Sequence, residues 1–499
     1  MQRSVRTNTI ALIFLGISTG LPLLLILRTL SVWLREAGME RATIGFLSWA
    51  TLSYGFKFVW APAVDSIKLP LVSRIFGRRR SWILLSQIII IFALLWMSSW
   101  DPQLSQTSFV LLAAGAVLLG FAAATQDIVI DAYRIDIAPD DQQALLAGVA
   151  IAGYRVGMLF AGAGALEISA MFGEQDVYSY QSWQTAYLCM AAFMLIGVVT
   201  TFLIKEPDVV IDRQPIRNNL KLFIHFLAVV SVFVISFIVL GHVIETISTD
   251  QVLIDFMLSA ARLALSLMLA IYIGRALCTA GLLGKNEFES VYISPFTDFF
   301  SRYGKLALLL VLIICLYRTA DIVMGVMAKV FYTDMGYTKE QISRISFIFG
   351  TIVSLMGGVL GGLLALRFGI IKILMIGAIT SAVSNLIFIY LANLPEPSSI
   401  ALIMAIIGDN LSGGLAGGVG VAFLSSLVNR KFSASQYAAF SSITFLFPKL
   451  LAGYSGQIVD YAGYTMFFAI TAGMGLPVVI LILLIWRPYS QLVSSNSNN

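Results

Sequence analysis

The sequence contains few charged residues. Only 12% of its 499 residues are charged, whereas about 25% are charged in an average soluble domain. Hydrophobic residues make up 59% of the chain, and the mean hydropathy is +0.89. So few charges cannot solvate the surface of a soluble protein of this length. The composition therefore excludes a secreted enzyme, a nucleic-acid-binding module and a disordered scaffold, and it predicts a polytopic membrane protein.

Metal-binding and disulfide-forming residues are also scarce. The only histidines are His225 and His242, and the three cysteines, Cys189, Cys278 and Cys315, lie in or at the ends of apolar runs. Their spacing fits neither a zinc or haem site nor a disulfide framework. The sequence also lacks an HExxH motif and a nucleotide-binding loop. We therefore expect neither enzymatic activity nor a cofactor.

Long apolar runs dominate what is present. A membrane-spanning helix needs about 20 mostly apolar residues. We predict an all-α fold of fourteen spans, in which two blocks of six helices flank a central pair. The predicted spans are 9–34, 43–63, 82–100, 108–132, 143–170, 183–204, 221–245, 252–276, 305–328, 342–365, 370–392, 398–427, 437–459 and 464–486.

The loops between these runs alternate in charge. Lys and Arg concentrate in every second loop, whereas loops such as 101–107, 246–251 and 460–463 contain none. Because positive residues accumulate on the cytoplasmic side of a membrane, this pattern predicts that both termini are cytoplasmic. We interpret the net charge of +5 as the same orientation signal, with membrane lipids and no nucleic acid as partners.

The predicted spans divide the chain into four parts. We expect an N-terminal six-helix half at 1–206, an inserted helix pair with an interfacial linker at 207–304, a C-terminal six-helix half at 305–487, and a polar tail at 488–499. The stretch 283–304 mixes aromatic residues with charges, which favours a helix lying on the membrane surface. A surface that docks a partner is the alternative for that stretch.

Ionisable side chains occur inside the predicted spans. Each would cost about 2.5–3.5 kcal/mol at the bilayer centre on insertion scales. Unpaired, the whole set would cost roughly 20 kcal/mol, which exceeds a typical net folding stability. These groups must therefore face one another or water, and a polar pathway through the interior explains them. The set comprises Lys57, Asp127, Asp131, Arg155, Arg318, Asp321, Asp409 and Lys449.

The cations of this set indicate an anionic solute, because an arginine fork binds a carboxylate or phosphate through two bonds. Neutral side chains nearby could bind sugar or peptide groups, although each of them could instead be a helix–helix contact. The predicted substrate-binding residues are Arg155, Arg318, Lys449, Gln126, Tyr154 and Asn410.

The acids of this set suit proton carriage. Asp127 and Asp131 are four residues apart and share a helix face, and close, buried carboxylates favour a protonated form. The predicted proton-coupling residues are Asp127, Asp321 and Asp409. The alternative is that Asp127 pairs with Arg155 and Asp131 with Arg134 purely for packing.

Ordered local strings run through both six-helix blocks. They read GLPL at 20–23, TIGF at 43–46, FKFVWAP at 56–62, FGRRRSW at 76–82, TQDIVIDAYRID at 125–136, GYRVGM at 153–158, SPFTDFFSR at 294–302, LYRTAD at 316–321 and FSASQYA at 432–438. Together they are similar to the AmpG-type muropeptide permeases of the major facilitator superfamily. The resemblance implies that superfamily's fold, with the substrate site between the two halves near the membrane midplane.

The resemblance also implies a function. Permeases of this type import anhydromuropeptides, N-acetylglucosamine linked to anhydro-N-acetylmuramic acid with or without a stem peptide, across the bacterial inner membrane. Import depends on the proton gradient, serves peptidoglycan recycling and in some bacteria controls β-lactamase induction. We expect the same function here, in a monomer whose only driving force is the proton gradient.

An inner gate is the last expectation. Asp65 and the string GRRR at 77–80 resemble the cytoplasmic signature loop of the superfamily. The predicted gating residues are Lys57, Asp65, Arg78, Arg79, Arg80, Asp131 and Arg134.

The sequence also departs from the family pattern. Arg318, Asp409 and Lys449 stand where that pattern has Lys, Glu and Arg, and Arg and Lys are not equivalent at a forked contact. Another anionic solute such as acetyl-coenzyme A is therefore the alternative substrate. A transport-dead membrane sensor or scaffold is the alternative class of protein.

Overall fold

The structure is a computed structural model of the whole chain. It describes residues 2–39, 52–69, 72–137, 142–173, 178–207, 219–245, 252–280, 289–338, 341–452 and 454–497. Every regular element in these ranges is a helix. The predicted all-α class is therefore confirmed for the described part of the chain.

The α-helices are numbered here in chain order. Short π-helical turns at Leu25–Thr29, Phe160–Gly164, Glu289–Ile293 and Ile342–Phe349, and 3₁₀ turns at Lys57–Val59 and Arg430–Phe432, join some of them. The helices are α1 (Gln2–Leu24), α2 (Leu30–Glu36), α3 (Leu52–Phe56), α4 (Ala61–Ser66), α5 (Val72–Phe76), α6 (Arg78–Ser98), α7 (Gln106–Ile137), α8 (Gln143–Leu159), α9 (Ala165–Phe172), α10 (Tyr180–Phe193), α11 (Leu195–Leu203), α12 (Asn219–Glu245), α13 (Val252–Thr279), α14 (Ser294–Tyr303), α15 (Leu306–Leu316), α16 (Thr319–Asp334), α17 (Gly350–Phe368), α18 (Ile370–Ala392), α19 (Ser399–Leu427), α20 (Ser433–Ala452), α21 (Ser455–Gly473) and α22 (Gly475–Ser497).

The helices form two compact units. The first unit comprises Met1–Lys57 and Lys68–Val210, and the second comprises Phe58–Ile67 and Ile211–Asn499. Helix α4 thus belongs to the second unit although it lies early in the sequence. The inserted pair, α12 and α13, also belongs to the second unit, where the two helices pack against each other.

Within the described ranges, nine helical stretches are long and apolar enough to cross a membrane. They include Arg78–Ser98, Gln106–Ile137, Ile370–Ala392 and Ser399–Leu427, which agree closely with predicted spans. The predicted span 43–63 lies partly outside the described residues, and the apolar parts of α1, α12 and α13 are shorter. The total of fourteen spans therefore stays a prediction.

Several predicted spans are interrupted, and two of the interruptions lie at charged residues of the predicted site. The span predicted at 305–328 divides into α15 and α16, which are separated by Tyr317 and Arg318. The span predicted at 43–63 contains the 3₁₀ turn at Lys57–Val59 before α4 begins at Ala61. Interrupted helices leave backbone groups outside the helical ladder, and in transporters such breaks line binding sites.

Glycine pairs allow helices to approach closely within each unit. In the first unit, a Cβ at Gly157 would overlap the carbonyl oxygen of Ile17, so α1 and α8 meet backbone to backbone. In the second unit, a Cβ at Gly414 would overlap the carbonyl oxygen of Ser354, so α17 and α19 do the same. Small residues at helix interfaces are the usual device for close packing in lipid.

Candidate functional site

Arg318 and Asp321 form an ion pair at the break between α15 and α16. Arg318 immediately precedes α16 with φ −102° and ψ 4°, and Asp321 lies in the first turn of that helix. Arg318 Nε lies 3.2 Å from Asp321 Oδ2, and the Ser381 hydroxyl of α18 donates a hydrogen bond to Asp321 Oδ1. The positive end of the α16 dipole also favours a carboxylate at this position.

A cavity of about 200 Å³ lies beside Arg318. Of the described residues that line it, Arg318 alone carries a charge, and Tyr317, Ser441 and Thr444 are its polar neighbours. Gly417 leaves room for the guanidinium, because a Cβ there would lie 2.8 Å from Arg318 Nη1. The cavity therefore offers one cation and an apolar wall. That wall is formed by Ile313, Ile314, Ile322, Val421, Phe423, Leu424 and Phe445.

Asp409 belongs to the same electrostatic group. It is half-buried in α19, and the charges of Asp321 and Arg318 act on its carboxylate. The neighbouring Asn410 uses its side-chain amide locally, because Nδ2 donates to the Ile406 carbonyl oxygen at 3.1 Å. The structure thus brings two predicted proton-coupling residues together with one predicted substrate-binding cation.

The sequence predicts Lys449 as a buried cation in the middle of a helix, and that prediction is wrong. Because α20 ends at Ala452, Lys449 lies in its last turn, and its side chain is exposed. Its Nζ lies 5.6 Å from the ring centroid of Phe445, which also lines the cavity beside Arg318. A second cation therefore lies beside a residue that lines that cavity.

The first unit also places a cation at a helix break beside an aspartate. Lys57 lies in the 3₁₀ turn after α3, and its Nζ lies 3.6 Å from Asp127 Oδ2 of α7. One turn further along α7, Asp131 Oδ1 lies 3.4 Å from Arg134 Nη2. The charge of Asp131 acts on Asp127. These two carboxylates and two cations thus form one connected charged group.

The other predicted binding residues of the first unit differ in accessibility. Tyr154 and Arg155 are adjacent on α8 and half-buried, and the charge of Asp127 acts on Tyr154. Gln126 is fully buried, and its Nε2 donates to Ser18 Oγ at 2.7 Å. Gln126 therefore contributes to contact between helices rather than to an accessible surface.

Two arginines of the signature loop are fixed inside the first unit. Arg79 Nε lies 2.8 Å from Asp136 Oδ2, and both side chains are at most 2% exposed. The Glu206 carboxylate accepts hydrogen bonds from the backbone N–H groups of Arg79 at 2.8 Å and Arg80 at 3.0 Å. Glu206 thereby caps the N-terminus of α6. Gly77 has φ +81°, and a Cβ there would overlap the Glu206 side chain, so this contact requires a glycine.

Asp136 and Glu206 were not predicted as site residues. Asp136 ends the string TQDIVIDAYRID, so its place in that string was the available signal. Glu206 follows the sixth predicted span, and no spacing connects it to residue 79. Arg78, the first residue of α6, is half-buried.

Asp65 of α4 caps the N-terminus of α20. Its Oδ1 accepts from the backbone N–H of Ala434 at 3.2 Å. Its Oδ2 accepts from the backbone N–H of Ser435 at 2.7 Å and from the Ser435 hydroxyl at 2.6 Å. Asp65 is only 1% exposed. A buried carboxylate with three donors at a helix N-terminus is strongly held.

The paired cations and carboxylates can bind charged groups and exchange partners. The residues discussed include no catalytic arrangement. In the ranges that the structure describes, no group of three or more His, Cys, Asp or Glu residues could hold a metal ion. Paired cations and carboxylates beside a cavity can exchange partners with an anionic solute and with protons. That chemistry is typical of a solute transporter.

Sequence comparison agrees with this interpretation. The profile of the Major Facilitator Superfamily matches residues 7–317. A Rickettsia conorii protein named as transporter AmpG 4 is 30% identical over 469 residues, which cover 94% of both chains. The anhydromuropeptide permease of Escherichia coli K12 is 26% identical over 488 residues, which cover 98% of this chain and 81% of the permease. These relatives are transporters and not enzymes, as the sequence predicts for this chain.

Solved structures agree at the level of the fold. The proton:xylose symporter XylE bound to 6-bromo-6-deoxy-D-glucose has a TM-score of 0.58 at 13% identity, with 97% of this chain and 96% of that chain covered. The major facilitator transporter FucP in its outward conformation has a TM-score of 0.63 at 12% identity, with 95% and 98% covered. The predicted fold and family are confirmed: the chain belongs to the major facilitator superfamily and is a membrane transporter of the AmpG type.

Proposed function

We propose that the protein imports anhydromuropeptides from the periplasm into the cytoplasm by proton-coupled alternating access, for peptidoglycan recycling. The proposal places it in the bacterial inner membrane as a monomer with both termini cytoplasmic. The observation that carries it is the Arg318–Asp321 ion pair beside a cavity in which Arg318 is the one charged residue among the described lining residues. The similarity to an anhydromuropeptide permease over 98% of this chain supports the choice of substrate.

Arg318 is the proposed anchor for the substrate. Stem peptides carry carboxylates, and a guanidinium binds a carboxylate through two charge-assisted hydrogen bonds. The apolar wall suits the methyl and acetyl groups of the same solute. We add Lys449, Arg155 and Tyr154 as further substrate contacts because their side chains are exposed or half-buried. Gln126 and Asn410 hydrogen-bond within their own units, so we assign them to helix packing.

Asp321 is the proposed site where proton and substrate binding meet. Its negative charge holds Arg318, with Oδ2 and Nε 3.2 Å apart. Protonation of Asp321 removes that attraction and frees Arg318 for the substrate carboxylate, while Ser381 keeps a hydrogen bond to the protonated acid. Asp409 and the Lys57–Asp127 pair are the further proposed proton sites. One proton thus compensates one substrate charge in the low-dielectric interior.

The inner gate is proposed to comprise Asp65 and the signature-loop arginines. Asp65 holds the first turn of α20, so its release would free that helix end. Arg79 and Arg80 fix the start of α6 through Asp136 and Glu206. Arg78, Lys57, Asp131 and Arg134 complete the proposed set.

Uptake with defined competitors tests the substrate. Labelled N-acetylglucosaminyl-anhydro-N-acetylmuramic acid is offered to a permease-deficient bacterial strain that expresses this protein. Unlabelled anhydromuropeptide is expected to compete, and acetyl-coenzyme A is not, since the similarity to an anhydromuropeptide permease covers 98% of this chain. Competition by acetyl-coenzyme A alone would favour the alternative substrate. No uptake of either compound, with the protein present in the membrane, would favour a sensor or scaffold.

A further inference from the structure

Helix α14 is clamped to the segment that leads into α20. Arg302 Nη2 donates to the Leu427 carbonyl oxygen and to Gln436 Oε1, each at 3.1 Å. Asp298 Oδ1 accepts from Asn429 Nδ2 at 3.0 Å. Asp298 Oδ2 accepts from Gln436 Nε2 and from Arg302 Nε, each at 2.9 Å. Two charged side chains of α14 therefore hold the end of α19, the following turn and the first turn of α20.

Gln436 is the centre of this clamp. It is 2% exposed, and its amide is fully used. Nε2 donates to Asp298 and, at 2.7 Å, to the Pro295 carbonyl oxygen. Oε1 accepts from Arg302 and, at 2.7 Å, from the Asn429 backbone N–H. A buried amide with four partners cannot shift without losing several hydrogen bonds, so it fixes the position of its own backbone.

An aromatic contact anchors the same helix. Phe299 is 3% exposed, and its ring centroid lies 5.0 Å from that of Phe440, one turn beyond Gln436 on α20. On the same helix, Phe296 and Phe300 are exposed. One face of α14 therefore packs against α20 through both a polar and an apolar contact.

The residue next to Gln436 is the partner of Asp65. Ser435 gives Asp65 both its backbone N–H and its hydroxyl. Consecutive backbone positions move together. Any shift of Gln436 therefore changes the direction of the N–H groups that donate hydrogen bonds to Asp65. The π-helical turn Glu289–Ile293, which leads directly into α14, also contacts α4, the helix of Asp65. The clamp thus adjoins both partners of the Asp65 contact.

We propose that Asp298 and Arg302 are positioning residues for the Asp65 contact. They hold Gln436 so that the first turn of α20 presents its donors to the Asp65 carboxylate. The interfacial helix α14 thereby controls how firmly that contact is closed. The role in transport rests on the proposed function of Asp65 as a gate, whereas the energetic coupling between Asp298 and Asp65 is tested separately from any substrate.

A double-mutant cycle tests this coupling. The readout is the maleimide labelling rate of Ala434→Cys in purified full-length protein whose three natural cysteines are replaced by serine. Ala434 is 1% exposed, so labelling reports opening of the contact. Asp65→Asn is expected to raise the rate about tenfold, and Asp298→Asn to raise it severalfold. The double variant is expected to match Asp65→Asn alone, because the clamp acts only through that contact.

Three further variants keep the test decisive. Thr297→Ala is the matched control, because this residue is exposed on α14 and its hydroxyl donates to the nearby backbone carbonyl oxygens of Ile293 and Ser294. It is expected to leave the labelling rate unchanged. If Asp298→Asn does not yield folded protein, Arg302→Gln replaces it in the cycle, and Arg302→Lys is expected to restore part of the slow labelling. Effects of Asp65→Asn and Asp298→Asn that simply multiply would overturn the proposal, whether or not muropeptide is transported.

Discussion

Among single side chains, Arg318 combines the features that a substrate anchor needs. It lies at a helix break, adjoins a cavity of about 200 Å³ and pairs with the carboxylate of Asp321. Its side chain is 27% exposed and that of Asp321 is 12% exposed, so the surrounding protein does not fully enclose the pair. The proposed mechanism depends on the exchange of Asp321 for a substrate carboxylate.

Replacement of Arg318 tests this role. Arg318→Gln removes the charge and is expected to lower uptake efficiency roughly 10–100-fold, because a charge-assisted hydrogen bond contributes about 1.5–3 kcal/mol. Arg318→Lys keeps the charge but not the fork, so it is expected to raise KM while it retains measurable transport. The measurement is the initial rate of labelled anhydromuropeptide uptake at several concentrations. Unchanged kinetics in Arg318→Gln would remove Arg318 from the site.

The buried Arg79–Asp136 pair gives a prediction about stability. Arg79→Leu removes the positive charge beside the buried Asp136 carboxylate and is expected to cost about 3–5 kcal/mol. The double replacement Arg79→Leu with Asp136→Leu is expected to recover much of that loss, because it removes both buried charges. Thermal unfolding of the purified protein measures both variants. Arg74→Leu, at an exposed position, is the control, and equal destabilisation by all three variants would contradict the interpretation.

Among the helices, glycine determines which pairs approach closely. Gly414→Ala would place a methyl group against the Ser354 carbonyl oxygen and is expected to destabilise the protein by about 1–3 kcal/mol. Gly325→Ala in α16 meets nothing within 4 Å and is expected to be neutral or to stabilise by up to about 1 kcal/mol. Thermal unfolding compares the two variants, and the same loss in both would show that close approach is not the cause.

Helix positions were predictable from the sequence, whereas helix breaks were not. The spans predicted at 370–392 and 398–427 match α18 and α19 within a residue, because about 20 apolar residues suffice to identify a span. The break at Tyr317–Arg318 contains neither proline nor glycine. By contrast, Pro62 in the first turn of α4 was a usable signal for the other interruption. Breaks without such a signal depend on tertiary contacts.

The candidate site was also predictable only in part from the sequence. The spacing of Arg318 and Asp321 indicated that their side chains could meet, because they are three residues apart. Ser381 completes that group from another helix, and no local pattern connects it to Asp321. Lys449 was misplaced because the predicted span 437–459 puts it in the middle of a helix, whereas α20 ends at Ala452. Local spacing therefore identifies pairs, and the fold supplies the third partner.

For the molecule as a whole, the sequence predicts four parts, whereas the structure divides into two compact units. The described residues of the inserted pair cluster with the second unit. The two helices of the pair are joined by Arg262, whose Nε donates to the Phe237 carbonyl oxygen at 2.7 Å. Its guanidinium also stacks 3.8 Å from the Phe237 ring centroid. Arg262 thus holds the two helices together within the second unit. That the pair forms a separate part of the protein stays a prediction.

Proton-driven accumulation in proteoliposomes is the most direct test of the central claim. With an acidic exterior, labelled N-acetylglucosaminyl-anhydro-N-acetylmuramic acid is expected to accumulate above its external concentration, and a protonophore is expected to abolish the accumulation. Asp321→Asn is expected to exchange substrate across the membrane but not to concentrate it, because its side chain cannot carry the proton. Accumulation that persists with the protonophore, or that Asp321→Asn leaves intact, would contradict proton-coupled import through the Arg318–Asp321 pair.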